Sequence, residues 1–600
     1  MKKIKYLGLE LIFLLACVSC NDWLDVNENP NTPTNTVASV ETRLPWIQHF
    51  YGYAYGAASM RVSWINGTIT SRNGFSSGST HTYMPVWNPS NGVSVTPYQQ
   101  WFVGAAANIE DLKKKAEETQ AYHYTAATLV IEAMGYMLMT DLYGEMPFRE
   151  AVGAQLTPKY DDGKTIYEGC LQKLDEALSY FDKEQPSTAP PLSKGDNWNN
   201  GDLAKWKAMV YGLKARWLNK ASKKTSYNPD AVLDALSKAP STNNMNAVVH
   251  HLNLPGDLVG PGLNGDPVKT SYFFNVFAWS DHIRLQKWYT DKLEYTEKGR
   301  THYDPRRHAL LPANQHYNAD GTSYFMITAG VDELHSDIHL KSGPVISNYN
   351  SDTKSYKAGS TIAERSGDTV YVTLRSICAV TGSADGESMY KDKDGTILST
   401  GTFYTRPEAP THLLTYSEMC FIKAEVLFRK GDRAGAHQAY KAGILADMEL
   451  MNQKLNAYAD KNNPGKKPMT DQEISDFMKS EGVCQDAAKL TMEEIMKQKF
   501  IVMTFTVENW NDMRRFNYSA GNIGNFGVVY PGFERPKAMP ASATTDKFPG
   551  ASKVEDNYWW RRFMHCSHEV NYNAEQWKAS NPKADKLDIW SVPVWWDSAE

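Results

Sequence analysis

The sequence predicts a mostly α-helical single body, with a helical-repeat scaffold and a loop-rich ligand-binding face carrying minor β structure. Three observations lead there. Residues 98–118, 121–142, 164–183 and 202–224 place apolar side chains at three- and four-residue spacing, with Gly or Pro between the segments. In a second block that begins at Thr411, Ala424, Leu427, Gly431, Ala436 and Tyr440 fall 3, 4, 5 and 4 residues apart. Between the blocks, residues 245–410 are broken by Pro255-Gly256 and Gly260-Pro261-Gly262 and hold one short alternating stretch, Val370, Val372 and Leu374, that reads as a strand.

From the N-terminus, Lys2, Lys3 and Lys5 precede an apolar run from Leu11 to Val18, the order of a secretory signal and too short to span a membrane. The run closes on Cys17-Val18-Ser19-Cys20. Small residues before a cysteine resemble the lipobox of a bacterial lipoprotein, so Cys20 is the expected lipidation site after removal of residues 1–19. Leu14-Leu15-Ala16-Cys17 is a competing frame, but polar Asn21-Asp22 follows Cys20 at once. Residues 20–40, rich in Asn, Pro and Thr, suit a lipid-anchored tether. The body then runs over 41–600, with the scaffold at about 41–250 and 411–520 and the loop-rich face at about 251–410 and 521–600. The spacing at Ala424 to Tyr440 resembles a tetratricopeptide repeat, in which small residues let antiparallel helices approach and the Tyr fills the gap between turns. The tail carries Trp559, Trp560, Trp577, Trp590, Trp595 and Trp596 on irregular sequence.

Composition narrows the function. The chain has 63 Lys+Arg against 68 Asp+Glu, a net charge of −5, so no basic surplus favours nucleic acid. Losing residues 1–19 removes three Lys and one Glu and takes the charge to −7. After the first twenty residues no apolar run nears the roughly 18 residues of a spanning helix. The cysteines after Cys20 (Cys170, Cys378, Cys420, Cys484 and Cys566) are odd in number and widely spaced, which suits buried free thiols rather than a disulfide framework or zinc site. The 17 Trp, 33 Tyr and many loop Asn suit a face for a neutral polyhydroxylated ligand.

Catalytic and metal motifs fail on context. Gly74-Phe75-Ser76-Ser77-Gly78 spells a nucleophile elbow without its flanking strand and helix. Gly260 to Gly265 spells a dinucleotide loop, but Pro261 and Pro267 forbid the helix start that would hold a pyrophosphate. His335 and His339 lack the Glu of a zinc protease motif, and Asp392 and Asp394 lack the bidentate Glu of a calcium loop. No cofactor or metal is expected. Sugar sites pair aromatic platforms with Asn, Asp and Arg, and two stretches have that mixture. The first holds Arg72, Asn73, Tyr83, Trp87, Asn88 and Asn91; the second holds Tyr272, Phe273, Phe274, Trp279 and Trp288. The candidate ligand residues are Arg72, Tyr83, Trp87, Asn88, Tyr272, Trp279 and Trp288. Two or three indole platforms at roughly 2 kcal/mol each, less the association cost, imply affinities on the order of 10⁻⁵ to 10⁻³ M.

A set of segments taken in order carries a resemblance. Cys20-Asn21-Asp22-Trp23-Leu24-Asp25-Val26-Asn27 with Asn29-Pro30-Asn31 resembles the mature start of the SusD/RagB outer-membrane lipoproteins of Bacteroidetes. Thr140-Asp141-Leu142-Tyr143-Gly144-Glu145-Met146-Pro147-Phe148-Arg149-Glu150-Ala151 is similar to a further family segment. So are Thr157 to Asp161, Gly201 to Lys207 with Leu213 to Arg216, Tyr303 to Arg306, Ser417-Glu418 with Lys423 to Glu425, and Glu508 to Trp510 with Arg514-Arg515. The resemblance implies a SusD-like body and a cell-surface lipoprotein of a Gram-negative outer membrane. It further implies a non-enzymatic protein that binds an oligosaccharide and caps a SusC-like TonB-dependent transporter in nutrient uptake. A peptide-binding relative and a protein-assembly scaffold remain as alternatives. The matching segments are scaffold positions, so the resemblance transfers no ligand residue.

Overall fold

The structure, a computed structural model, describes residues 38–71, 84–153, 155–251, 283–317, 323–327, 330, 349–350, 355–356, 402–406, 409–458, 464–537, 539 and 557–599. Helix α1 (Val40–Ile65) is buried along most of its length, and every residue of α3 (Tyr122–Tyr143) from Tyr124 onward is buried. A helix apolar all round is stable only inside a body. Around these two pack α2 (Ile109–Glu118), α4 (Gly163–Phe181) and α5 (Leu203–Lys220), and α6 (Pro229–Lys238) packs on α5. The starts are written in capping side chains: Asp162 accepts from Thr165 N, Asp202 from Ala204 N, and Asn228 from Asp230 N ahead of Pro229. Each cap satisfies an otherwise orphaned N–H and contributes about 1 kcal/mol.

The second helical block contains α7 (Tyr416–Arg429), α8 (Arg433–Ala457), α9 (Asp471–Lys479), α10 (Met492–Val502) and α11 (Val507–Arg515). The repeat spacing belongs to α7 and α8, whose three-residue link makes them an antiparallel pair. Ala424, Ala436 and Tyr440 are fully buried, and Tyr440 meets Phe421 edge-on at 6.3 Å. One expected helix differs. Over 98–118 the chain makes a π turn at Gln100–Ala105 and a 3-10 turn at Ala106–Asn108 before α2 begins. The wider turn accompanies the seating of Trp101 against Gly135 of α3, where a Cβ would lie 2.1 Å from the indole.

The described strands form antiparallel pairs: β1 (Ile69–Ser71) with β3 (Ile283–Leu285), β2 (Ala247–Val249) with β10 (Thr411–Leu414), and β4 (Glu294–Glu297) with β5 (Arg300–Tyr303). β6 (Ala313–Tyr317) pairs with β7 (Ser323–Ile327), and β8 (Tyr349–Asn350) with β9 (Ser355–Tyr356). The expected strand at Val370 to Leu374 lies outside the described residues. So do Cys20 and the tether up to residue 37, the two glycine motifs at 74–78 and 260–265, His335, His339, Asp392 and Asp394.

Ion pairs join segments far apart in sequence. Arg216 holds Glu418 at 2.6 Å; Arg515 holds Glu425 and Asp512, each at 2.6 Å; Arg306 holds Asp304 at 2.6 Å and Asp447 at 2.8 Å. Lys220 pairs with Asp141 and, at 3.0 Å, with Glu508. Asp141 also accepts from Trp596 Nε1 at 3.0 Å and Asn511 Nδ2 at 2.8 Å. Burial works to raise the Glu508 carboxyl, but Lys220 and Arg216 outweigh it and hold it down to about 2. Gly144, just after α3, has φ +82, and a Cβ there would meet the Arg562 guanidinium that pairs with Glu145.

The C-terminal stretch departs from its expected place on a ligand-facing loop segment. Trp560, Trp590 and Trp596 are fully buried, and Trp577 is 4% exposed. Residues 557–599 lie across the helical core, fastened by Lys223 to Asp597 at 2.8 Å and by Phe563 N to Leu142 O at 2.6 Å. Cys170, Cys420 and Cys566 are buried free thiols, and Cys484 is a half-buried one. Among the described residues no helix is long and apolar enough to cross a membrane.

Candidate functional site

The β1–β3 ladder ties together the two stretches that the sequence singles out, since β1 leads into 72–91 and 270–282 leads into β3. Arg72, Tyr83, Tyr272 and Trp279 lie outside the described residues. After β3, Gln286 N donates to Thr68 O at 3.0 Å, and a short helical turn, Lys287–Thr290, presents Trp288. Gly67 makes this approach possible. Its φ is +77, and a Cβ there would sit 2.8 Å from Phe533, 2.9 Å from Gln286 and 3.0 Å from Trp288.

Trp288 is half-buried and held on several sides. Its indole N–H donates to Pro531 O at 3.0 Å, and its ring meets Phe500 of α10 at 5.2 Å and Phe533 at 5.0 Å. The Lys292 ammonium lies 3.3 Å from the indole centre, covering a face that a sugar ring would use, and 5.5 Å from Phe500. Trp288 is therefore the anchor of a charged site rather than a bare stacking surface. It borders an open cleft of about 920 Å³ between the 286–292 segment, α10 and the 529–537 loop. At the rim Lys287 pairs with Asp291, and Lys537 with Glu534 at 3.4 Å. Lys292, Lys497 and Arg535 also line the cleft, with Glu493. Burial, with Lys497 adding repulsion, pushes the Lys292 ammonium down to about 7. Burial raises the Glu493 carboxyl, with Glu494 reinforcing it.

Trp87 is corrected by the structure. Expected as an exposed platform, it is 1% exposed, stacks on Trp560 at 5.6 Å and 19°, and meets Trp559 at 6.1 Å. No face is left for a ligand. The large ring stays in an unusual backbone conformation, φ +50, because the core surrounds it. Asn88 beside it is half-buried. Trp87 nonetheless lies behind the cleft: Trp559 stacks on Tyr518 at 4.8 Å, Tyr518 stacks on Phe533 at 5.8 Å, and Phe533 touches Trp288. Sequence reasoning missed Lys292, Lys497 and Arg535. For Lys292 a signal existed, since it follows Trp288 by four residues; Lys497 and Arg535 come from distant segments and carried none.

Among the described residues no group of three or more His, Cys, Asp or Glu is placed to hold a metal ion. Residues 70–523 match the family model SusD-like_2, described as starch-binding associating with outer membrane. Among solved structures, a SusD/RagB family protein from Bacteroides thetaiotaomicron is 18% identical with a TM-score of 0.60, covering 94% of this chain and 99% of its own. A Bacteroidetes SusD-like protein is 17% identical with a TM-score of 0.64, covering 94% and 100%. A chitin-binding SusD homolog from Flavobacterium johnsoniae is 14% identical with a TM-score of 0.54, covering 93% and 97%. A comparison with curated proteins returns no match.

Proposed function

The chain belongs to the SusD-like family, and from that premise we propose that it is a cell-surface lipoprotein that binds a glycan and does no chemistry on it. The observation that carries the reading is the cleft beside Trp288. Its roughly 920 Å³ falls within the usual range for small-ligand sites and has room for a short oligosaccharide. Its lining combines an aromatic anchor, one face of which Lys292 covers, with cations and a carboxylate that can meet the hydroxyl rim of a sugar ring. The starch-binding description of the family and the chitin-binding neighbour support a polysaccharide fragment as the ligand class. Lipid on Cys20 and the tether to residue 40 would hold the body at the outer membrane, where it caps a SusC-like TonB-dependent transporter and passes the glycan on.

Isothermal titration of residues 21–600 against neutral and acidic oligosaccharides tests the binding step. Dissociation constants on the order of 10⁻⁵ to 10⁻³ M are expected for at least one glycan. Binding to peptides of similar length with no glycan response would replace this reading by the peptide one. Purification from native membranes in mild detergent should recover a transporter of larger mass in near-equal amount, and a lone monomer would count against the capping role.

A further inference from the structure

We propose that the cleft beside Trp288 selects an acidic sugar, with Lys292 and Lys497 receiving a carboxylate or sulfate carried on the sugar ring. The inference rests on the reading of this cleft as a glycan subsite and names the class of glycan it takes.

The charges at the site set the argument. Lys287 and Lys537 are matched by Asp291 and Glu534 at the rim, so Lys292 and Lys497 are left facing the single carboxylate of Glu493. Neither Lys292 nor Lys497 makes a hydrogen bond or ion pair among the described residues. The partners of the Lys292 ammonium are the π faces of Trp288 and Phe500, which attract a cation weakly and take none of its N–H donors. Arg535 is already engaged, with one nitrogen donating to Tyr558 O at 2.7 Å and its guanidinium 5.2 Å from the Trp559 ring. Two half-buried lysines that repel each other form a site that an anion completes, because charge-assisted hydrogen bonds would replace water and relieve the repulsion. Hydroxyl groups alone would leave the repulsion in place. The lowered Lys292 value agrees: an arriving anion restores the proton, so binding above neutral pH takes protons up.

Titration with trigalacturonic acid, its neutral methyl ester, a sulfated galactose trisaccharide and maltotriose tests this. The acid should bind about tenfold tighter than its ester, the size of one or two charge-assisted contacts. At pH 8, in buffers of different ionisation enthalpy, the acid should bind with proton uptake and the ester without, and the advantage of the acid should shrink toward pH 9. Lys292→Met and Lys497→Gln should each shrink the acid-to-ester ratio, thermal melts establishing that both variants fold. A preference for the sulfated sugar over the uronate assigns the anion as a sulfate ester, and the reverse assigns a carboxylate. Equal binding of acid and ester overturns the inference and leaves the glycan reading standing. No binding by any of the four sugars overturns the inference, and the glycan reading falls with it only when no other neutral or acidic oligosaccharide binds.

Discussion

Trp87→Ala separates a ligand platform from a core residue. The indole is 1% exposed, stacks on Trp560 at 5.6 Å and meets Trp559 edge-on at 6.1 Å. Truncating an aromatic ring so enclosed removes its transfer free energy and leaves a cavity, together about 3–5 kcal/mol of folding stability. The two ring contacts supply about 0.5–1.5 kcal/mol each within that total. The backbone provides an internal control. With φ at +50, alanine keeps the left-handed strain that glycine escapes, so Trp87→Gly should be less damaging than Trp87→Ala by roughly 1 kcal/mol. Thermal and denaturant melts measure the loss, and titration of the surviving folded protein measures glycan affinity, which should change less than twofold because the ring sits behind the cleft wall. A melt superimposable on wild type together with abolished glycan binding would refute the burial argument and restore Trp87 as a platform.

Arg216→Met should cost about 3–5 kcal/mol by leaving Glu418 buried without its partner, and adding Glu418→Leu should recover much of it; a loss under 1 kcal/mol in a urea melt would deny the pair its role. Glu508, held to about 2 in the folded chain against about 4.3 unfolded, contributes stability that is complete above roughly pH 5 and lost as the pH falls toward 2. Glu508→Gln should therefore lower the melting temperature at pH 7 and flatten its decline in acid, and an unaltered acid slope would speak against the assignment. Cys20→Ala should abolish incorporation of labelled palmitate and release the body from the membrane, whereas persistent labelling would move the site to Cys17.

How much was legible depended on how local the determinant was. The helices at 164–183 and 202–224 could be read because apolar periodicity and a capping Asp lie within a few residues of each other, at Asp162 and Asp202. The pair α7 and α8 was legible for the same reason: Ala424, Ala436 and Tyr440 report their packing through spacing alone. The π turn at Gln100–Ala105 was not, because its reason sits on another helix, where Trp101 meets Gly135. Tail tryptophans misled in the same way. Irregular local sequence read as an exposed loop, yet Trp560, Trp590 and Trp596 are fully buried, since the tail packs on distant partners such as Asp141 and Leu142. At the candidate cleft, Trp288 could be singled out by its residue type, whereas Lys497 on α10 and Arg535 on its loop have no local pattern that announces a shared cleft.

The division between legible scaffold and illegible site has an energetic cause. The segments that carry the family likeness contain Asp141, Arg216, Asp304, Arg306, Glu418, Glu425, Glu508 and Arg515, and these residues pair with one another or with neighbouring helices in the interior. Removing one partner of a buried pair costs about 3–5 kcal/mol, a large part of the total stability of a domain, so such positions admit few substitutions. The cleft obeys the opposite rule. Lys292 and Lys497 are half-buried and without ion pairs among the described residues, and burial already disfavours the charge on Lys292. Replacing them costs the fold little and changes what the cleft attracts. A ligand preference built this way can be altered without disturbing the helices that present it, which is why motif matching reaches the scaffold and stops at the ligand, and why the charge of the proposed glycan has to be read from the cleft itself.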